Sequence, residues 1–402
     1  MCGICGIVDI DGLVPQKDEA RCRTMTATLR HRGPDDTGTY VDDYAALGHA
    51  RLSIIDLADG HQPMTDETRR WWIAYNGEVY NFHDLREELR QSGHVFRTQS
   101  DTEVILHLFE EEGVAGLDRL KGMFAMALWD SRRRELFLVR DRIGIKPLYY
   151  TLHDNGRLIF GSEIKAILAH GGLERSVRPD ALSDYLTFLY VPAPKTMFEG
   201  IYKLPAGHWL RFSRKELVVQ EYWDLRPLPH VPSQRPNVEE ELLERLDRAV
   251  QERLVSDVPL GAFLSGGVDS SAVVATMART NYRPLITTSV GFDEQSYNEL
   301  PYAEQVAKQY QTEHHERILR PDAVGVIETL AHHYDEPFAD YSAIPTYYVS
   351  REARKMVTVA LSGDGGDENF GGYRRYRFDL LERELRRFLP FSLRRWLVRP
   401  LA

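Results

Sequence analysis

The sequence predicts two domains of different class: an α+β domain of stacked sheets flanked by helices, followed by an α/β domain built on a doubly wound parallel sheet. Three observations carry this expectation. Up to about residue 205, short apolar runs rich in Val, Ile, Phe, Tyr and Trp alternate with turn chemistry. A Pro-rich polar stretch, DLRPLPHVPSQRPNV, then forbids regular pairing. Beyond it, apolar strands and helices alternate, the pattern of a parallel sheet whose ligands bind past the carboxyl ends of the strands. The expected boundaries are 1–205, a linker over 206–237, and 238–402.

In the first part, CGIVDI, YAALGHARLSII, WWIAYNGEVYN, GMFAMALWD, ELFLVRD and RLIFGSE read as strands. Several are apolar on consecutive positions, which implies sheets covered on both faces. HDLREELRQSG and DTEVILHLFEEEG read as helices between them. In EEELLERLDRAVQERLVSD, Leu242, Leu243, Leu246, Ala249, Val250 and Leu254 recur at helical period, and the second domain is expected to begin there. VPLGAFL, a helix from Ser270, PLITTSVGF, the helix YAEQVAKQY and then MVTVALSGD continue it.

Composition excludes several classes. The chain has 402 residues, 43% hydrophobic and 27% charged, which suits two or three soluble globular domains. Sixty acidic against fifty basic residues give a net charge of -10, which argues against a nucleic-acid binder. Three cysteines point away from a disulfide scaffold, and no run of about 18 apolar residues offers a membrane span. A cytoplasmic protein is expected.

Cys2 sits one residue from the start of MCGICGIVDIDG. Removal of the initiator methionine would leave a thiol and an α-amine on one residue, a nucleophile beside its own base; their ordinary pKa values lie near ~8.5 and ~8. Three plainer readings stand beside it. A metal or redox pair with Cys5 lacks further ligands at suitable spacing, Cys22 being the only other cysteine. A secretory signal lacks a basic and an apolar region before the cysteine. Chance is the third.

The second part carries two glycine-rich acidic loops at strand ends. In LSGGVDSS, Gly266 and Gly267 permit a tight turn, Ser265 and Ser270 offer hydroxyls, and the next helix presents unpaired N–H groups, together a phosphate cradle. It is not a Walker loop, since the lysine and its spacing are missing. Asp269 inside such a cradle implies Mg²⁺ between carboxylate and phosphate. A serine-capped glycine turn is the plain alternative. The second loop, LSGDGGDENFGGY, weighs against it by clustering Asp364, Asp367 and Glu368 at another strand end of the same sheet.

Taken in order, MCGICGI, RHRGPD, RLSIID, YNGEVYN, SDTEVIL, GMFAMALWD, RDRIGIKPLYY, GSEIKA, LSGGVDSS and SGDGGDENFGGY resemble the glutamine-dependent asparagine synthetases along essentially the whole chain. The first half resembles their class II glutamine amidotransferase domain, an αββα sandwich of the Ntn-hydrolase type. The second resembles their ATP-pyrophosphatase synthetase domain. The resemblance implies that Cys2 attacks the side-chain amide of glutamine with its α-amine as base, and that Asn76 and the N–H of Gly77 hold the oxyanion. Arg51 would grip the α-carboxylate, with Leu52 and Ile54 lining the pocket, and Glu78 and Asp101 would take the ammonium. Read without the resemblance, Asn76-Gly77 is a hairpin turn and Asp101 a helix N-cap.

For the second half, the resemblance implies ATP, its pyrophosphate on Ser265, Gly266, Gly267 and Ser270, and its adenosine along Leu264, Val290, Ser362 and Gly363. Mg²⁺ would sit on Asp269 and Asp367, and Asp364 would face the acyl-adenylate. Aspartate attacks the α-phosphorus, pyrophosphate leaves, and ammonia carried through an internal channel displaces AMP. The absent P-loop lysine fits that route better than γ-phosphoryl transfer. The acceptor is not fixed by any motif; DEPFADYSAIPTYY is its expected wall. Full-length relatives continue past residue 402 with further helices and a lysine-bearing segment, so the chain is expected to be truncated relative to them. The partners expected are glutamine, aspartate and ATP, with no nucleic acid, no membrane span, and a homodimer left open.

Other features have plain readings. Arg132, Arg133 and Arg134 make a solvated hairpin turn, and the pairs His314–His315 and His332–His333 point to different faces rather than to a metal. The Arg-rich end, with Phe388, Leu389, Trp396 and Leu397, reads as one side of an interrupted helical core. Two alternatives to asparagine formation stand: the same amidotransfer onto a cell-wall, peptide or saccharide carboxylate, or a glutaminase-only or non-catalytic binding module.

Overall fold

The structure, a computed structural model, describes residues 1–388 except 154–155, 215, 227–236, 281, 294–297 and 321. It divides into two units: Met1–Pro259 with Pro321–Ser350, and Leu260–Arg320 with the chain from Arg351 onward. The first unit contains, in order, β1 (Gly3–Val8), α1 (Pro15–Ala27), β2 (Asp36–Val41), β3 (Ala45–Arg51), β4 (Met64–Thr65), β5 (Trp71–Val79), α2 (Phe82–Gln91), α3 (Asp101–Glu112), β6 (Gly122–Asp130) and β7 (Glu135–Arg140). It continues with β8 (Tyr149–Leu152), β9 (Leu158–Gly161), α4 (Ile164–Ala169), α5 (Pro179–Phe188), β10 (Tyr202–Lys203), β11 (His208–Phe212), β12 (Leu217–Glu221) and α6 (Val238–Glu252). Then come β13 (Leu260–Phe263), α7 (Val268–Arg279), β14 (Ile286–Phe292), α8 (Leu300–Tyr310), β15 (Glu313–Leu319), α9 (Ala323–Tyr334), α10 (Ala343–Ala353), β16 (Val359–Leu361), α11 (Gly366–Phe370) and α12 (Arg374–Phe388).

Two antiparallel sheets, ordered β10-β8-β9-β1-β3-β2 and β12-β11-β7-β6-β5-β4, form the centre of the first unit. Period-two alternation assigns their faces. On β1, Cys5 and Ile7 pack with Cys22, Met25 and Leu29 of α1 and its end, while Ile4 and Val8 turn toward the other sheet. On β5, Ile73, Tyr75 and Val79 pack under α2 and α3 with Leu85, Leu89 and Ile105, while Ala74 joins Ala125, Ala127 and Trp129 between the sheets. Both faces of β1 and β5 are therefore covered, which is why these strands read as continuous apolar runs. The layers run helix, sheet, sheet, helix, as the sequence predicted. Gly6 leaves room for its cross-strand partner: a Cβ on it would stand 2.5 Å from the Phe160 ring.

β11 pairs onto β7 and β12 onto β11, so the second sheet runs beyond residue 205, where the sequence placed the boundary. Helix α6 groups with this first unit. Arg132 and Arg133 donate their backbone N–H groups to Asp130 in the β6–β7 hairpin, as the plain reading required. Of the apolar C-terminal residues, Leu389, Trp396, Leu397 and the Phe388 side chain lie outside the described residues.

The second unit is a parallel sheet ordered β15-β14-β13-β16. The chain winds outward from β13 through β14 to β15, then returns to the opposite side of β13 as β16. The direction of winding reverses between β13 and β16, and that crevice, past the carboxyl ends, is where doubly wound sheets bind ligands.

Candidate active sites

Alternation along β5 puts Asn76 on the face between the sheets, fully buried, and leaves both its amide Nδ2 and Oδ1 without a hydrogen-bond partner among the described residues. β5 runs straight through Asn76-Gly77, so the hairpin-turn reading is wrong: nine residues of β5 pair with β6 in one register. Gly77 lies opposite Phe124, whose N–H and C=O both go to Asp141 on the far side. Gly77 therefore directs its own N–H to the open edge of β5. On that edge the neighbours are occupied, Tyr75 N–H by Gln62 Oε1 at 2.7 Å and Val79 N–H by Asp101 Oδ2 at 3.0 Å. The Gly77 N–H between them has no partner among the described residues. A Cβ here would stand 2.3 Å from the Met123 carbonyl, so only glycine fits.

Cys2 precedes β1. Its Sγ donates to the Leu52 carbonyl at 3.6 Å and accepts from the Leu52 N–H at 3.4 Å. Arg51 ends β3 and turns its guanidinium into the following loop, where the carbonyls of Ile55 and Asp56 accept at 3.1 and 2.6 Å. Ile54 in that loop accepts from Asp257 N–H at 2.9 Å. Arg51 thus shapes the loop that holds Cys2. Asp101 is the first residue of α3, but the cap is Ser100, whose hydroxyl accepts from Thr102 N–H; this corrects the N-cap reading. The Asp101 carboxylate instead accepts from Tyr75 OH at 2.8 Å and from Val79.

Burial sets the protonation states. It drives the first residue's α-amine down to about 5, with Lys146 and Arg32 adding to the effect. It pushes the Cys2 thiol up, against the Leu52 N–H, the α-amine and Arg51. Burial thus lowers the Met1 amine and raises the Cys2 thiol, so with Met1 attached both are uncharged at neutral pH. Glu78 rises to about 7, first through burial and then through Asp101, while burial alone would raise Asp101 further than its hydrogen bonds allow. Lys146 falls to about 8, again through burial. The same field joins Cys2, Arg51, Glu78, Asp101 and Lys146, so these side chains share one site.

Sequence reasoning assigned no role to Arg32, Lys146 or Glu163, although each lies in a quoted motif. Arg32 Nε donates to the Cys2 carbonyl at 2.9 Å, and its Nη1 to Glu163 Oε1 at 2.8 Å. Glu163 is held down to about 2 by hydrogen bonds from His31, Lys165 and Arg32, which overcome its burial. Lys146 Nζ lies 2.9 Å from Met1 Sδ. Beside Met1, Arg32 and Glu163 opens a cavity of about 610 Å³, lined also by Tyr149, His333 and Asp335.

In the second unit, the loop after β13 and the loop after β16 meet at the crevice. A Cβ on Gly363 would lie 2.9 Å from the Ser270 amide nitrogen. Gly266 has φ +81, and a Cβ on it would strike Tyr302 at 2.5 Å. Ser265 Oγ accepts from Gly267 N–H at 3.2 Å and lies 3.0 Å from Ser270 Oγ. Ser271, the last residue of the motif, carries a buried hydroxyl with no partner among the described residues. Leu264 is buried and Val290 half-buried on neighbouring β14, while Ser362 Oγ donates to Asp364 Oδ2 at 2.8 Å. The Asp269 carboxyl carbon would be 2.4 Å from a Cβ on Gly366, so its carboxylate overlies the loop that carries Asp367. Neither carboxylate accepts a hydrogen bond among the described residues, and two hard oxygen donors from two loops fit Mg²⁺.

Residues 1–223 match the family described as the glutamine amidotransferase domain, and residues 241–401 match asparagine synthase. The chain is 39% identical over 97% of its length to putative asparagine synthetase [glutamine-hydrolyzing] 2 of Methanocaldococcus jannaschii, covering 79% of that protein. It belongs to the glutamine-hydrolysing asparagine synthetase family. Asparagine synthetases [glutamine-hydrolyzing] 1 and 3 of Bacillus subtilis are 37% and 38% identical over 99% and 93% of the chain. The chain spans 63% of the length of each of these two asparagine synthetases. No helix among the described residues is long and apolar enough to cross a membrane.

Proposed function

We propose that this chain is a ligase that hydrolyses glutamine at Cys2 and uses the ammonia to convert aspartate to asparagine with ATP. The observation that carries the reading is the pair of unpartnered donors on β5, the buried Asn76 amide and the Gly77 N–H, next along the strand to Glu78, while Lys146 acts on both Glu78 and Cys2. Donors left unpaired in the resting protein are aimed at charge that exists only during reaction.

With Met1 removed, the neutral α-amine takes the Cys2 proton as Sγ attacks the amide carbon of glutamine. Asn76 Nδ2–H and Gly77 N–H receive the oxyanion. The C–N bond breaks, ammonia leaves with the amine's proton, and water releases glutamate from the thioester. Glu78 and Asp101 bind the substrate ammonium, and Arg51 its carboxylate through donors beyond those given to the loop. Arg32 fixes the Cys2 carbonyl, and hence the nucleophile's direction. The cavity beside Met1 is the ammonia's first chamber on this reading.

In the second unit, Ser265, Gly267, Ser270 and the N-terminus of α7 hold the pyrophosphate of ATP, and the unpartnered Ser271 hydroxyl joins them. Asp269 and Asp367 hold Mg²⁺, which when bound supplies positive charge against the departing pyrophosphate. Leu264, Val290, Ser362 and Gly363 border the adenosine, and Asp364 faces the acyl-adenylate. The test is pyrophosphate and glutamate production by the purified chain with ATP and glutamine, with and without aspartate. Aspartate-dependent pyrophosphate with matching glutamate is expected. Glutamate alone would refute the synthetase assignment for this chain while leaving the glutaminase intact.

A further inference from the structure

Outside the Cys2 site, two histidines meet behind the helices that cover the second sheet. His94 follows α2 and His107 lies on α3; His107 is 1% exposed, and its Nδ1 is 3.2 Å from Nδ1 of His94. The opposite nitrogens both face carboxylates. His94 Nε2 lies 3.1 Å from Glu111 Oε2, and His107 Nε2 lies 3.6 Å from Glu67 and 4.0 Å from Glu103. An ionised carboxylate only accepts, so His94 Nε2, within hydrogen-bond distance of Glu111, is a donor. The two Nδ1 atoms face each other across 3.2 Å. A divalent cation between two Nδ1 lone pairs would be held by both rings at once.

Glu110 Oε2 completes the group, 3.6 Å from His107 Nδ1, and the three candidate donor atoms lie within 4.8 Å of one another. Donors around a tetrahedral ion with bonds of about 2.0–2.1 Å are separated by about 3.4 Å, close to the two shorter spacings here. The outer carboxylates repeat a known arrangement, in which a metal-bound imidazole donates its other N–H to a carboxylate that fixes its tautomer. Glu103 is itself fixed, accepting from the N–H groups of Arg97 and Thr98.

We propose that His94 Nδ1, His107 Nδ1 and Glu110 Oε2 bind a zinc-class divalent cation, with water as the fourth ligand. Two imidazoles and one carboxylate select zinc, cobalt or nickel over magnesium and calcium. The ion would staple the segment after α2 to the middle of α3, whose first residue is Asp101 of the Cys2 site. Its role is structural, and it does not depend on the reaction proposed above.

The test uses the full chain with Cys2→Ala, so that the thiol binds nothing, and with millimolar Mg²⁺ present to occupy the acidic loops. Titration with Co²⁺, followed by its visible absorption and by metal analysis after dialysis, should show one ion per chain with a tetrahedral spectrum. His94→Gln and Glu110→Gln should abolish this binding, and Glu111→Gln should weaken it about 10–100-fold through the orientation of His94. Circular dichroism of each variant reports folding independently of metal. Absence of tetrahedral Co²⁺ binding, or uptake unchanged in both His94→Gln and Glu110→Gln, would overturn the site.

Discussion

Replacing Asn76 by Ala separates the two consequences of burying an unpaired amide. Both polar atoms of this side chain are buried without a partner among the described residues. A desolvated, unsatisfied group costs roughly 1–3 kcal/mol. Truncation removes that cost and loses packing worth about 1–2 kcal/mol, so the net stability change should stay within about 1 kcal/mol. Catalysis should behave differently, because the amide gains its partner only when the oxyanion forms. Loss of one such donor lowers kcat by about 10²–10³, or roughly 3–4 kcal/mol. The assay is glutamate release at saturating glutamine, beside chemical denaturation of the same preparations. An ammonia-driven reaction with ATP and aspartate serves as control, since it bypasses Cys2. A rate loss below about tenfold, or destabilisation beyond about 2 kcal/mol, would refute the reasoning, the second because it would mean the amide is paired in the folded protein.

Three further predictions follow from the same geometry. KM for glutamine should fall as pH increases through about 7, where Glu78 ionises, as the pH profile of KM tests. Glu78 is raised from 4.5 to about 7, so the stability it contributes is present at low pH and lost as pH rises to about 7. Glu78→Gln should therefore raise KM yet stabilise the protein by about 3 kcal/mol at about pH 8 and by nothing near pH 4, as read by denaturant midpoints. Gly366→Ala places a methyl 2.4 Å from the Asp269 carboxyl carbon and should abolish pyrophosphate release while glutamate production continues.

The one-dimensional signals were sufficient wherever a physical constraint is local. Apolar runs on consecutive positions gave sheets covered on both faces, and β1, β5 and β6 are covered on both. Glycine after β13 and β16 gave the two loops, because tight turns demand that residue type. Where local preference and long-range pairing disagreed, the sequence misled: Asn76-Gly77 reads as a turn, but pairing with β6 holds it in a strand. Likewise Asp101 reads as a cap, but Ser100 takes that duty and frees Asp101 for Val79.

Residue type and order alone determined the layered class of both domains, the thiol at position 2 and the two acidic loops. Only the tertiary structure decided which of these groups are unpaired, because hydrogen-bond partners come from distant strands: the partners that leave Gly77 N–H open belong to Gln62, Asp101 and Asp141. It also decided the charge states, since burial lowers the α-amine and raises Glu78, and depth is a property of packing. It brought His94 to His107, a pairing with no periodic signature, because a segment outside any helix supplies one ring and α3 the other.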